Sequence, residues 1–309
     1  MRTVFLGTSE FAATLLGRLS GESAHPAPHR PALVLTRPDR PAGRGRKLTS
    51  PPVADAARKL GLELAQPDGV NEPDARELIA SVSPEVLVVC AFGALIKEPL
   101  LSDYELLNVH PSLLPRWRGA APIERAIMAG DEHTGVSIMR LTAGLDSGPV
   151  CSTASEPILA QDTYGSLASR LEQTGAELLT TALDTLDGAE SLPFIEQDEQ
   201  QVTYAEKIGP SDRLLDPKRT AAQLERVVRA LHPHVGARVA LSDGELLGVR
   251  QVALVQSTVP PREGVYASDG RLLLGCAAGA LELLIVQPAG KRPMDAGAFL
   301  RGNGLPDGG

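Results

Sequence analysis

Aromatic side chains are scarce in this 309-residue chain, with one tryptophan, four tyrosines and five phenylalanines. That is too few to stack the successive bases of a single strand, which excludes a general single-strand coat protein. Cysteine is scarcer still. Cys90, Cys151 and Cys276 are odd in number, far apart and match no metal-ligand spacing. They predict neither a disulfide framework nor a metal site, but buried thiols in a reducing, cytoplasmic setting. Apolar runs are short. The longest, such as "VLVVCAFGALI", fall well below the roughly 20 residues that a membrane span needs. The opening "MRTVFLG" leads straight into a strand pattern rather than a secretory leader. A positive charge surplus is also missing: the net charge is −8, so the surface as a whole does not attract nucleic acid. After the first strand, "GTSEFAATLLG" holds Gly7 but no second glycine where a backbone would have to approach a pyrophosphate, which argues against a dinucleotide cofactor.

What the chain does have is rhythm. Through the first half, short apolar runs ("TVFLG", "PALVLT", "LELAQ", "EVLVVCAF", "LLNVH") alternate with helical patterns ("FAATLLGRLS", "PPVADAARKLG", "NEPDARELIASV", "APIERAIMAG"). Two further strands, over 135–141 and 148–158, and helix over 163–187 complete the unit. This alternation predicts an α/β fold with a Rossmann-like, mostly parallel sheet covered on both faces. From Leu192 the period fades into a connection, then a helix begins at Thr220 with Gln223 three residues on, a capping-box spacing. Five closely spaced strands separated by Gly and Asp-Gly turns follow, which predict a small OB-like β-barrel. The expected division is a catalytic domain over 1–190, a linker over 191–207 and a barrel domain over 208–309.

The chemistry-bearing residues cluster in "NVHPSLLPRWRGAAPIERA". Asn108 and His110 are two apart on a strand, so they project to one face. Pro111 keeps His110 extended and out of a helix. Open parallel sheets bind their ligands at that carboxyl end. An isolated N-x-H pair is more often a loop brace. Asp146, in "TAGLDSGPV" between two glycines, tilts the balance, because its loop could reach the same edge. An amide, an imidazole and a carboxylate around one centre, with no serine or cysteine beside them as nucleophile, suit an acyl transfer in which the substrate itself attacks. "RPDRPAGRGRKL" sets Arg37, Arg40, Arg44, Arg46 and Lys47 against one Asp39 in a Pro/Gly loop. It reads either as a solvated loop or as a clamp for phosphates. The other histidines, His25, His29, His133, His232 and His234, form no ligand spacing.

These segments resemble the folate-dependent formyltransferases. "NVHPSLLPRWRGAAPIERAI" with "GLDSGP" carries the likeness to the family; "RPDRPAGRGRKL", "VTYAEKI", "AAQLERVVRAL" and "VQPAGKRPM" narrow it to the tRNA-acting branch and extend it over nearly the whole chain. Ser9 stands where proline is usual, Phe92 where tyrosine is common, and "HPHVGA" replaces a segment that usually contains tryptophan. The resemblance implies formyl transfer from 10-formyltetrahydrofolate to the α-amine of methionyl-initiator tRNA, without a metal. It implies Asn108, His110 and Asp146 as catalytic residues, and Ser112, Leu113, Leu114 and Pro115 on the folate side. It implies Arg37, Arg40, Arg44, Arg46 and Lys47 on the acceptor end of the tRNA. A monomer is the expectation. A formyltransferase for a small amine and a non-catalytic RNA-binding protein are the alternatives.

Overall fold

The computed structural model describes residues 1–22, 25–42, 47–255 and 262–303. They fall into two compact units. The first comprises Met1–Pro122, Thr134–Pro157 and Ala168–Ala205. The second comprises Ile123–His133, Ile158–Leu167 and everything from Glu206 onward. The connection expected over 191–207 thus groups mostly with the first unit. Its backbone is claimed there: Ile195 and Val150 exchange hydrogen bonds of 2.9 Å, and Arg118–Gly119 pairs in parallel with Tyr204–Ala205.

The first unit is built on a seven-stranded sheet. Val86–Cys90 is its middle strand; Thr3–Gly7 lies beside it, parallel to it on one side and to Leu33–Leu35 on the other. Glu105–His110 continues the parallel order, and His133–Arg140 then runs antiparallel to it. Every residue of Thr3–Gly7 and Val86–Cys90 is buried, as near-continuous apolar strands covered on both faces should be. On one face Val4, Leu6, Leu33, Leu35, Leu87 and Val89 pack in a cluster with Ile79 and Leu100. Each such side chain contributes about 1.5–3 kcal/mol of burial. Ser9 caps the first helix, Glu10–Ser20, by accepting from Ala12 N. Gly61 ends Pro52–Leu60 in the left-handed conformation, the Pro-first, Gly-last pattern of the sequence. Residues 163–187 form one long helix, Tyr164–Asp187. A Cβ on its Gly175 would meet Val109 Cγ1 at 3.2 Å, so the missing side chain permits close approach to the sheet.

The second unit carries a six-stranded antiparallel sheet. Its helix Ala221–Ala230 starts in the expected capping box of Thr220 and Gln223. Leu224, Val227 and Val228 of that helix pack against Val239, Leu247, Val249 and Leu283. Register shifts around Gln251 break the ladder between Leu246–Val255 and Ala280–Gln287, and such irregularities bend a sheet. Among the described residues no ladder joins Ala237–Ala240 to Gly264–Ser268. The result is a half-barrel rather than a closed barrel. Alternating burial is legible in sequence; closure depends on which edges meet.

Candidate active site

Asn108 and His110 share one face of Glu105–His110, as their spacing predicts. Both are buried, at 7% and 4% exposure. His110 Nε2 lies 2.9 Å from the Trp117 carbonyl oxygen. A carbonyl only accepts, so Nε2 carries the proton and donates it there. Nδ1 then faces Asp146 Oδ2 at 3.7 Å. The Asn108 side chain has no hydrogen-bond partner among the described residues. It borders a cleft, which leaves the amide free to meet a ligand rather than serving as a brace.

Asp146 reaches His110 by a route the sequence did not indicate. Because His133–Arg140 is antiparallel to Glu105–His110, the following loop leaves the sheet low, where Leu141 N donates to Leu106 O. It must climb back about 13 Å, four strand residues, to meet His110. The five residues from Leu141 to Asp146 can span about 17 Å. Asp146 completes the return in the left-handed region, at φ 45°, which is uncommon for a non-glycine residue but tolerated by aspartate. Its Oδ2 accepts the Gly119 N–H at 2.8 Å. Gly119 has φ 118°, and a Cβ there would collide with the Ala205 carbonyl at 2.8 Å, so only glycine presents that N–H.

Two residues without a sequence signal complete the arrangement. Gln197 Nε2 donates to both the Asp146 carbonyl (2.8 Å) and the Gly148 carbonyl (2.7 Å). Gln197 Oε1 accepts from Arg118 Nε at 3.0 Å. Arg118, itself buried, pairs with Glu199 at 2.7 Å and holds that carboxyl below the usual carboxylate range.

Asn108, His110, Gly119 and Asp146 border a cleft of about 470 Å³, lined also by Val89, Phe92–Ile96, Pro111, Leu141, Thr142, Gly144 and Leu145, among others. One wall, the loop after Val86–Cys90, is fastened through its carbonyls. Thr8 Oγ1 donates to Phe92 O, Asn71 Nδ2 to Leu95 O, and Arg37 to Gly93 O. Phe92 packs with Val89 and Ile96 inside the apolar cluster, where a tyrosine hydroxyl would need a partner. Leu95 and Leu145, both 62% exposed, form apolar lips.

Ser112, Leu113, Leu114 and Pro115 do not line this cleft. Ser112 Oγ donates to Arg116 O, Ser137 Oγ donates to Ser112 O, and Leu114 N donates to Ser137 Oγ. The turn spends its polar groups on itself, and Leu114 and Pro115 border a second hollow with Val150–Thr153 and Ile195–Asp198. Arg37 is brought to the cleft wall. Arg40 is exposed on Arg40–Ala42, which pairs with Lys47–Thr49. Arg44 and Arg46 lie outside the described residues. Burial pushes the Cys151 and Cys276 thiols up to about 11 and Cys90 further, so none is primed as a nucleophile. Among the described residues no His, Cys, Asp and Glu side chains group as a metal site, and no helix is long and apolar enough to cross a membrane.

A family model described as formyl transferase matches residues 1–183, and one described as formyl transferase, C-terminal domain, matches 207–304. The chain belongs to the formyl transferase family. Its relatives include the methionyl-tRNA formyltransferase of Methylococcus capsulatus, 44% identical over 99% of this chain and 98% of that protein. The enzyme of the same name from Cereibacter sphaeroides is 41% identical over 100% and 98%. Among solved structures, HypX from Aquifex aeolicus in complex with tetrahydrofolic acid shares the fold, with a TM-score of 0.65 at 17% identity. That match covers 100% of this chain and 48% of HypX. A sugar 3N-formyl transferase, WlaRD, aligns with a TM-score of 0.62 at 14% identity over 94% of this chain and 99% of its own. Within this formyl transferase the Asn, His and Asp side chains surround one cleft although Asp146 is separated from His110 by most of a loop, a helix and a strand.

Proposed function

We propose that the chain transfers the formyl group of 10-formyltetrahydrofolate to the α-amino group of methionyl-initiator tRNA, yielding N-formylmethionyl-tRNA for translation initiation. The observation that carries the reading is the unpartnered Asn108 carboxamide beside the His110–Asp146 pair in one largely apolar cleft. Full-length similarity to enzymes named methionyl-tRNA formyltransferase supports the acceptor.

The cleft suits the folate: its volume is that of a small-molecule site, its walls are largely apolar, and the Asn108 carboxamide can donate into it. Phe92–Ile96 and Leu141–Asp146 would flank the folate. Ser112, Leu113, Leu114 and Pro115 would shape that side by fixing the turn after His110. 10-Formyltetrahydrofolate supplies an activated formyl carbon. Asn108 donates to the formyl oxygen as negative charge builds there. One preorganised donor of this kind is worth about 2.7–4 kcal/mol. His110 can add a second donor only through Nδ1, because Nε2–H is committed to Trp117. That requires a proton on Nδ1, the nitrogen that faces Asp146 Oδ2 at 3.7 Å. Asp146 would take the proton shed by the attacking amine and return it to the leaving nitrogen.

Arg37, Arg40, Arg44, Arg46 and Lys47 would grip the phosphates of the acceptor end. Residues 1–190 would act as the catalytic domain, 191–207 as the linker and 208–309 as the tRNA-binding domain of a cytoplasmic monomer. The test supplies formyl-labelled 10-formyltetrahydrofolate with charged initiator tRNA, or with small amines. Label on the methionyl amine supports the proposal. Label only on a small amine, or transfer to nothing, refutes it.

A further inference from the structure

We propose that Gln197, carried by the Arg118–Glu199 pair, is a positioning residue that sets the Asp146 carboxylate against His110. Its amide is used completely. Both N–H bonds go to carbonyls at the apex of one loop, at 2.8 Å to Asp146 and 2.7 Å to Gly148. Its oxygen takes the Arg118 Nε hydrogen at 3.0 Å. The two carbonyls flank the turn in which Asp146 holds φ 45°. A residue in that conformation persists only where its surroundings fix it, and Gln197 is the side chain that bonds this turn from outside.

The support continues outward. Arg118 is 3% exposed, so its charge must be paired, and Glu199, 72% exposed, supplies the partner at 2.7 Å. Arg118 also sits beside Gly119, whose N–H holds the Asp146 carboxylate at 2.8 Å. It follows Trp117, whose carbonyl orients His110. One short stretch, Trp117–Gly119, therefore anchors the imidazole and the carboxylate, and Gln197 ties it to the loop that carries the acid. The segment 195–205 brings Gln197 there through the Val150–Ile195 bridge and the Arg118–Gly119 pairing with Tyr204–Ala205. What reads in sequence as a connection is the strap that joins the two catalytic loops.

Gln197 touches no reacting atom, so its effect passes through Asp146. Misplacing a catalytic group by about 1 Å can cost on the order of 100-fold. This inference rests on the proposed formyl transfer, and wild-type turnover in the same assay separates the two. A wild type that transfers no formyl group fails that proposal; a transferring wild type leaves this inference to the variants. Gln197→Glu is the sharper substitution, because it keeps the shape and the Arg118 partner but cannot donate to the carbonyls. The expected result is a kcat about 10- to 100-fold lower, with KM for both substrates within about twofold. Added to Asp146→Asn, Gln197→Glu is expected to lower kcat by less than about twofold more, because it acts through the carboxylate already removed. Wild-type kcat, a change confined to KM, or the full loss repeated in the Asp146→Asn background overturns the inference. If Gln197→Glu does not fold, Glu199→Gln replaces it. A kcat about 2- to 5-fold lower at unchanged KM supports the relay, and unchanged kcat overturns it.

Discussion

Replacing Asn108 by alanine is expected to separate catalysis from stability. The side chain is 7% exposed and has no hydrogen-bond partner among the described residues, so the folded protein carries the cost of partly dehydrating an amide. That cost is about 1–3 kcal/mol for a fully buried group, and contact with the cleft reduces it. The backbone of Asn108 stays locked between Val89 and Met139 whatever the side chain. Truncation also removes packing atoms, but on a face that already borders a cleft, so little new cavity forms. The two effects nearly cancel, and the melting midpoint should be unchanged or up to about 2–4 °C higher. Turnover should fall by about 100- to 1,000-fold, the cost of one oxyanion donor. Steady-state formylation assays and thermal melts on the same preparation test both halves. An active Asn108→Ala protein, or an inactive one that melts well below the parent, would show that Asn108 braces the loop and donates nothing.

Asp146→Asn should fold normally, because asparagine tolerates φ 45° and still accepts from Gly119 N. It should lose about 100- to 10,000-fold in kcat; near-normal turnover would remove the carboxylate from the mechanism. Arg44→Ala should weaken tRNA binding and flatten the dependence of affinity on salt by about one phosphate contact. Equal slopes for parent and variant in a salt titration would retire the clamp. Burial, opposed by a Thr14 hydrogen bond and the nearby Arg18, pushes the Glu172 carboxyl up to about 7 from 4.5. Folding therefore takes up a proton between those values, and the contribution of Glu172 to stability falls as pH rises through that window. Glu172→Gln should raise the melting midpoint more at pH 8 than at pH 5, and the reverse order in paired melts would sink this reading.

Much of the site was legible because its signals are local. The two-residue spacing of Asn108 and His110 fixes a shared face, Pro111 fixes an extended exit, and the glycines around Asp146 announce a sharp loop. The return of that loop was not legible, since it depends on His133–Arg140 running antiparallel. Nor was the inward use of Ser112–Pro115, whose polar groups could have served a ligand and instead serve Ser137 and Arg116. Gln197 carried no signal at all. One glutamine in an aperiodic polar stretch looks like any other until the chain is folded around it.

By itself the sequence determined which segments are buried, where helices start and stop, and which residue types are available for chemistry. Periodicity, capping and backbone sterics act over a few neighbours, so they can be read in order along the chain. Only the tertiary structure decided that Asp146 stands 3.7 Å from His110, that Gln197 and Arg118 hold it there, and that the second sheet stops at a half-barrel. Those outcomes depend on strand direction, on register and on which backbone groups remain unpaired once distant segments meet, and no local window contains that information.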